Sequence, residues 1–121
     1  IVSGGRGVGG KEGFRKLGGL AELLDGALAG SRGAVDDGMI SYPHQVGQTG
    51  AAVRPDVYIA CGISGSVQHM AGVMARSIIA VNTDPKAPIF DYAELGILGD
   101  CQEFATKLAE AIRAGGYKNE L

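Results

Sequence analysis

The stretch VYIACGISGS, residues 57–66, joins an apolar run to a turn of glycine and serine. Val57–Cys61 is apolar throughout, which is typical of a strand in a parallel sheet that is covered on both faces. The glycines and serines that follow end the strand, and a helix is predicted after them, with one apolar face. That face holds Val67, Met70, Ala71 and Met74. A strand, a tight polar turn and a helix in this order are the repeating unit of an α/β fold.

The same alternation recurs on both sides of this unit. The other predicted elements are a strand ending at Ile1-Val2, a glycine turn at 4–10, a helix from about Lys11 to Leu28, a short strand at Gly33–Asp36, a loop over 37–55, strands at Ser77–Val81 and Leu95–Gly99, a helix over 102–114 that stops at Gly115-Gly116, and a polar, frayed tail at 117–121. This order predicts an α/β fold: a Rossmann-like, doubly wound parallel sheet with helices on both faces.

Composition bounds the function classes. A length of 121 residues suits one domain, 1–121, and the 21 glycines cluster where apolar runs end. A net charge of −2 with few aromatic residues argues against a nucleic-acid partner. No apolar run is long enough for membrane insertion. Cys61 and Cys101 lack metal or redox spacing, so two buried free thiols are predicted rather than a disulfide. The chain opens inside a strand, and we expect it to be a fragment of a longer protein.

Polar and glycine residues follow every predicted strand. They are Ser3–Gly7, Asp36, Gly62–Ser66, Asn82 with Asp84, and Asp100. The carboxyl ends of parallel strands share one edge of a sheet, where ligands of open α/β sheets bind. Hydroxyls and bare amides suit phosphate, and carboxylate and amide groups suit ribose and base. The pattern therefore predicts a nucleotide site at this edge.

Two alternatives follow from the same residues. Gly5, Gly7 and Gly10 match the GxGxxG pattern of dinucleotide sites, with Asp36 as the ribose ligand of an NAD-binding half of a dehydrogenase. The same glycines equally describe a tight turn with close helix packing. A redox-silent nucleotide-binding interaction module is the second alternative.

Several motifs in one order are more specific. These are SGGRG at 3–7, Ser31-Arg32, QVGQTG at 45–50, GISG at 62–65, Gln68-His69, Asn82 with Asp84-Pro85, APIF at 87–90, and Gly96-Ile97 before Asp100. Together they resemble the C-terminal FAD-binding domain of the electron transfer flavoprotein alpha subunit, over residues 1 to about 112. The alpha subunit's N-terminal domain has no counterpart in this sequence.

The resemblance implies a bound FAD and a set of contacts. It implies that Arg6 and Ser31 lie along the FAD, that Arg32 lies against the isoalloxazine ring, and that Thr49 is near ring nitrogen N5. It implies further cofactor-binding residues at Gln45, Val46, Gly47, Gln48, Gly62, Ser64, Gly65, Gln68 and His69, with Asn82 and Asp100 at the adenosine end. No catalytic or metal-binding residue is expected. Positive charge and hydrogen-bond donors at the ring favour its reduction.

The same resemblance implies an electron carrier rather than a substrate-converting enzyme. Its implied partners are an electron transfer flavoprotein beta subunit, flavoprotein dehydrogenases such as acyl-CoA dehydrogenases, and a membrane quinone reductase. The implied location is the bacterial cytoplasm, or the mitochondrial matrix in a eukaryote.

Overall fold

Five short strands form one parallel sheet in the computed structural model, which describes residues 1–116. The strands are β1 Val2–Gly4, β2 Leu28–Gly30, β3 Val57–Cys61, β4 Ser77–Asn82 and β5 Leu95–Leu98. Their order across the sheet is β2-β1-β3-β4-β5, and every neighbouring pair is parallel. The predicted fold class, an α/β sheet of Rossmann-like form, is confirmed.

The two faces of the sheet are covered differently. The helices are α1 Lys11–Leu23, α2 Arg32–Asp36, α3 Val67–Met70 and α4 Cys101–Ala111. Alternate residues of β3 point to opposite faces, so that Ile59 packs with α1 and α4 while Tyr58 packs on the other side. That second face is closed by the short α3, by a 3-10 turn at Pro88–Asp91 and by loops.

The predicted second strand at Gly33–Asp36 is wrong. The strand is instead Leu28–Gly30, which begins at the residue where the first predicted helix was expected to end. The helix α1 ends earlier because Asp25 takes a left-handed conformation, with φ of 55°, just before Gly26. Leu28 is therefore packed against the core from the sheet and not from a helix.

The predicted apolar face after β3 is also wrong in part. The helix α3 has only four residues, and Val67 and Met74, which were expected inside, are strongly exposed. Its buried side chain is instead His69.

The C-terminal third agrees with prediction within a few residues. Gly115 stops the last helical turn in a left-handed conformation, with φ of 81°. Both cysteines are free and buried, as predicted. The predicted frayed tail at 117–121 lies outside the described residues. Within residues 1–116 we find no helix with the length and apolar character of a membrane span.

Candidate functional site

A crevice of about 600 Å³ lies at the carboxyl ends of β1, β2 and β3. The predicted residues that line it are Arg6, Ser31, Arg32, Val46, Gly47, Gln48, Thr49, Gly62, Ser64, Gln68 and His69. The lining also contains Gly5, Gly33, Ile63 and Ser66, none of which was in the predicted set of cofactor contacts. The volume lies within the ordinary range for a small-molecule or cofactor site.

Four predicted site residues lie outside this lining. Gln45 is buried behind the loop, and Gly65 packs against the backbone of Ile89. The Asn82 side chain donates to the Ile63 carbonyl and accepts from the backbone of Asp84. Asp100 caps α4 by accepting from the Glu103 amide. Contact of these residues with a ligand stays a prediction.

The two glycine turns at the crevice are pressed together, backbone against backbone. A Cβ on Gly5 would lie 2.4 Å from the Gly62 carbonyl oxygen. The Gly5 amide donates to the Cys61 carbonyl and the Gly7 amide to the Gly62 carbonyl. These amides are therefore engaged within the protein. At this turn Gly5 and Gly7 act as the tight-turn alternative describes, and their two amides are not available to a pyrophosphate.

Asp36 does not end a strand. It lies in α2, where its carboxylate is 3.5 Å from the Arg32 guanidinium. A dehydrogenase half needs its ribose carboxylate at the tip of the second strand, which here is Gly30. Neither the glycine turn nor Asp36 is therefore arranged as the NAD-binding alternative requires.

The QVGQTG loop is held by a hydrogen bond within the loop and by contacts with α3. The Gln45 side-chain amide donates to Thr49 Oγ1 at 2.9 Å. The Gln48 amide donates to the Gln68 carbonyl at 2.8 Å, and Gly47, with φ of 133°, packs closely on the backbone of α3. A buried glutamine therefore holds Thr49 on the crevice wall.

Two guanidiniums stand at the opposite wall. Ser31 caps α2 by accepting from the Ala34 amide, which places Arg32 at the first position of the helix. The Arg6 guanidinium crosses to Asp37 at 2.9 Å and packs on Gly33. Among the described residues, the crevice lining includes both arginines and no carboxylate side chain. An anionic ligand suits this lining.

His69 is the buried ionisable group of the site. Its side chain is 6% exposed, its Nε2 lies 2.7 Å from Tyr58 Oη, and Tyr58 Oη lies 2.8 Å from Ser3 Oγ. Its Nδ1 is buried and has no hydrogen-bond partner within residues 1–116. Burial lowers the pKa of His69 from its ordinary value, so the imidazole is neutral near pH 7. The sequence analysis placed Ser3 in the turn after the first strand, whereas Ser3 lies within β1, so no sequence signal pointed to this network.

Acid should weaken the fold through His69. Its folded pKa is lowered below the ordinary value of 6.5. The unfolded chain therefore binds the proton first, and stability that is present above pH 6.5 is lost as the pH falls below it. Each unit of pKa difference contributes at most about 1.4 kcal/mol.

Urea unfolding at about pH 7.5 and about pH 5.5 measures this loss. His69→Gln should make the free energy of unfolding less dependent on pH, whereas His44→Gln, at an exposed position, should leave that pH dependence as in the wild type. An equally steep loss in His69→Gln would show that other groups cause it.

A flavin dinucleotide fits these residues. Its phosphates require cations and hydroxyl groups, which Arg6 and Ser31, Ser64 and Ser66 can provide. Its ring is favoured by positive charge and donors, which Arg32, Thr49, Gln48 and the unpartnered His69 nitrogen can provide.

Curated proteins that are similar in sequence to this chain are flavoprotein subunits. The chain is 52% identical over 114 residues to the electron transfer flavoprotein subunit alpha of Thermoanaerobacterium thermosaccharolyticum, covering 93% of this chain and 34% of that protein. It is 52% identical to the Bacillus subtilis subunit, covering 93% and 35%, and 50% identical to the mitochondrial subunit of Dictyostelium discoideum, covering 93% and 32%. The chain spans about a third of the length of these relatives.

The sequence profile of one protein family also matches. It covers residues 1–74, from β1 through α3, and it is described as the electron transfer flavoprotein FAD-binding domain. These residues include all of the crevice lining. The chain belongs to the electron transfer flavoprotein FAD-binding domain family.

Proposed function

We propose that this chain holds FAD in the crevice and carries electrons, without converting a substrate of its own. The observation that carries the proposal is the lining itself: two arginines, several hydroxyls and amides, and a buried imidazole nitrogen without a partner, at the ligand-binding edge of a parallel sheet. When bound, FAD would supply reversible uptake of electrons.

The residues divide into two groups in this proposal. Arg6 and Ser31 bind along the dinucleotide, and Ser64 adds a hydroxyl from the opposite turn. Arg32, Thr49 and His69 face the ring, where positive charge and donors stabilise negative charge that arrives on reduction. Support comes from their joint position on one crevice, although they are separated by up to 63 residues in the sequence.

Several features favour a carrier over an enzyme. The crevice lining, within the described residues, includes no carboxylate and no cysteine. Burial lowers the pKa of its imidazole, which makes it a weaker base, and Nε2 is already hydrogen-bonded to a tyrosine. We therefore assign His69 the role of hydrogen-bond donor and not that of a general base.

We further propose that the chain works beside an electron transfer flavoprotein beta subunit. In this proposal the donors are flavoprotein dehydrogenases, such as acyl-CoA dehydrogenases, and the acceptor is a membrane quinone reductase or another acceptor. The relatives named above are alpha subunits about three times as long, which supports a function within a larger assembly.

Flavin content tests the proposal. The purified protein should release FAD on denaturation, or should bind added FAD with a change in the flavin spectrum and leave NAD unbound. Arg6→Ala should weaken FAD binding by about 5- to 30-fold, because a charge-assisted contact to phosphate from an exposed guanidinium that is also paired with Asp37 contributes about 1–2 kcal/mol.

Arg15→Ala is the matched control, since Arg15 pairs with Glu12 on the surface of α1, outside the crevice. Tight binding of NAD with no response to FAD would refute the proposal in favour of a dehydrogenase half. No cofactor binding at all would favour the redox-silent module.

A further inference from the structure

Three buried polar groups form a chain of hydrogen bonds beneath the crevice. Ser3 Oγ and Tyr58 Oη are 2.8 Å apart, and Tyr58 Oη and His69 Nε2 are 2.7 Å apart. Ser3 and Tyr58 are completely buried, and they come from the neighbouring strands β1 and β3. His69 Nε2 is thus paired with Tyr58, and Nδ1 has no hydrogen-bond partner within residues 1–116.

The protons in this chain can be counted. Burial raises the pKa of the Tyr58 phenol, so it keeps its proton, and burial lowers the pKa of His69, so it carries only one. A single proton therefore lies between Tyr58 Oη and His69 Nε2. It belongs either to the phenol, with the imidazole proton on Nδ1, or to Nε2, with Nδ1 bare.

Two chemical facts decide between these arrangements. A phenol is the stronger donor of the pair, and an imidazole nitrogen is a far better acceptor than a phenol oxygen. The Tyr58 hydroxyl is within hydrogen-bond distance of two acceptors, Ser3 Oγ and His69 Nε2, and its one proton goes to the stronger of them, Nε2. The Ser3 hydroxyl then rotates to donate to Tyr58 Oη, which gives one continuous direction from Ser3 through Tyr58 to His69. Hydrogen bonds aligned in this way in a dry interior strengthen one another.

We propose, on the basis of the flavin site proposed above, that Tyr58 is a positioning residue that holds His69 with its proton on Nδ1. His69 then presents an uncharged hydrogen-bond donor to the flavin. Free histidine prefers its proton on Nε2, so the protein selects the rarer tautomer, and Tyr58 is the group that selects it. The role reaches the cofactor only through His69.

Nitrogen NMR of histidine-labelled protein reads the tautomer directly. The chain has two histidines, so His44→Gln assigns the remaining signals to His69. In the wild-type chain, before and after addition of FAD, we expect a protonated Nδ1 and a bare Nε2. Tyr58→Phe should move the proton toward Nε2, and Tyr92→Phe, the same change at a half-exposed tyrosine, should leave it in place. A wild-type protein with its proton on Nε2 overturns the inference, whether or not Tyr58→Phe folds.

The flavin gives a second, independent readout. At the wild-type midpoint potential, the ratio of reduced to oxidised flavin should fall by about 2- to 12-fold in Tyr58→Phe, the equivalent of one lost or reversed hydrogen bond. Tyr92→Phe should leave the ratio unchanged. An unchanged ratio in Tyr58→Phe contradicts the inference. If the chain binds no FAD, the proposed function fails and the tautomer is still measured; if FAD binds and the tautomer is wrong, only this inference fails.

Discussion

Gly62→Ala should destabilise the protein by about 2–5 kcal/mol and abolish FAD binding under conditions in which the wild type is saturated. Gly62 joins β3 to the crevice with φ of 63°, a left-handed conformation that costs an alanine about 1–2 kcal/mol. A Cβ there would lie 2.6 Å from the Gly7 carbonyl carbon and 2.7 Å from the Val8 amide nitrogen. These are backbone atoms and cannot rotate away, so overpacking adds about 1–3 kcal/mol.

The same substitution should distort the crevice, because Gly62 lies where the glycine turns after β1 and β3 meet. Its amide donates to Val81 at the end of β4, and its carbonyl accepts from Gly7. Pushing these turns apart moves Gly5, Ile63 and Ser64, which line the crevice. The displacement should therefore appear as lost FAD binding even in protein that stays folded.

Gly19→Ala is the matched control for urea unfolding and FAD titration. Gly19 lies in the middle of α1, where a Cβ would meet nothing within 4 Å. That change should stabilise the helix by about 1 kcal/mol and leave FAD binding intact. If Gly62→Ala unfolds at the same urea concentration as the wild type, the close contact of the two glycine turns is wrong.

Arg32→Ala should make the bound flavin harder to reduce while FAD remains bound. Arg32 begins α2 at the crevice wall, held by the Ser31 cap, and its guanidinium stays charged at every physiological pH. A positive charge beside the ring stabilises the negative charge that reduction adds. The phosphates and adenosine are bound elsewhere in our proposal, so affinity should change little.

The expected size is about 1–2 kcal/mol in the free energy of flavin reduction, or about 5- to 30-fold in the ratio of reduced to oxidised flavin at a fixed potential. This free energy is smaller than that expected for a buried charge, because the Arg32 side chain is 68% exposed and also pairs with the Asp36 carboxylate at 3.5 Å. Arg32→Lys should restore part of the effect, since lysine keeps the charge and loses the planar group.

Spectroelectrochemical titration of the flavin-loaded variants measures this ratio. Arg76→Ala is the matched control, because Arg76 pairs with Asp56 on the surface and does not line the crevice. A ratio in Arg32→Ala equal to the wild-type ratio would show that Arg32 is an ordinary surface charge.

The central part of the fold was predictable because its signals are local. Val57–Cys61 is wholly apolar and is followed by glycine and serine, and the strand has these bounds in the structure. The predicted order of strands and helices also placed most of the polar residues on one edge of the sheet. The resemblance to a known family, carried by several motifs in one order, then implied most of the crevice lining, including the distant Arg32 and His69.

The errors lie where three-dimensional contacts override local pattern. The strand Leu28–Gly30 has only three residues, and Leu28 also fits the helical spacing of the apolar residues in α1. The helix nevertheless ends before Leu28, at Asp25 and Gly26. The residues after it looked like a strand, but the Ser31 cap begins a helix there. A capping serine was visible in the sequence, and the short strand before it was not.

Two features of the site depend on contacts across the sheet. The amides of Gly5 and Gly7 donate hydrogen bonds to carbonyls some 55 residues away. The GxGxxG spacing alone could not reveal that these amides are already hydrogen-bonded. His69 on a short helix resembles a surface residue until Tyr58 and Ser3 are seen beneath it. Both features arise from the pairing of β1 with β3.

In our proposal the crevice at the ends of β1, β2 and β3 is the FAD site. Backbone amide chemical shifts of the labelled chain, recorded during titration with FAD, test it most directly. We predict that the largest changes fall at 5–6, 31–33, 46–49 and 62–69, with smaller ones at Asn82 and Asp100. Changes confined to the surface around Lys16, Thr106 and Glu110, or no changes in the presence of saturating FAD, would contradict it.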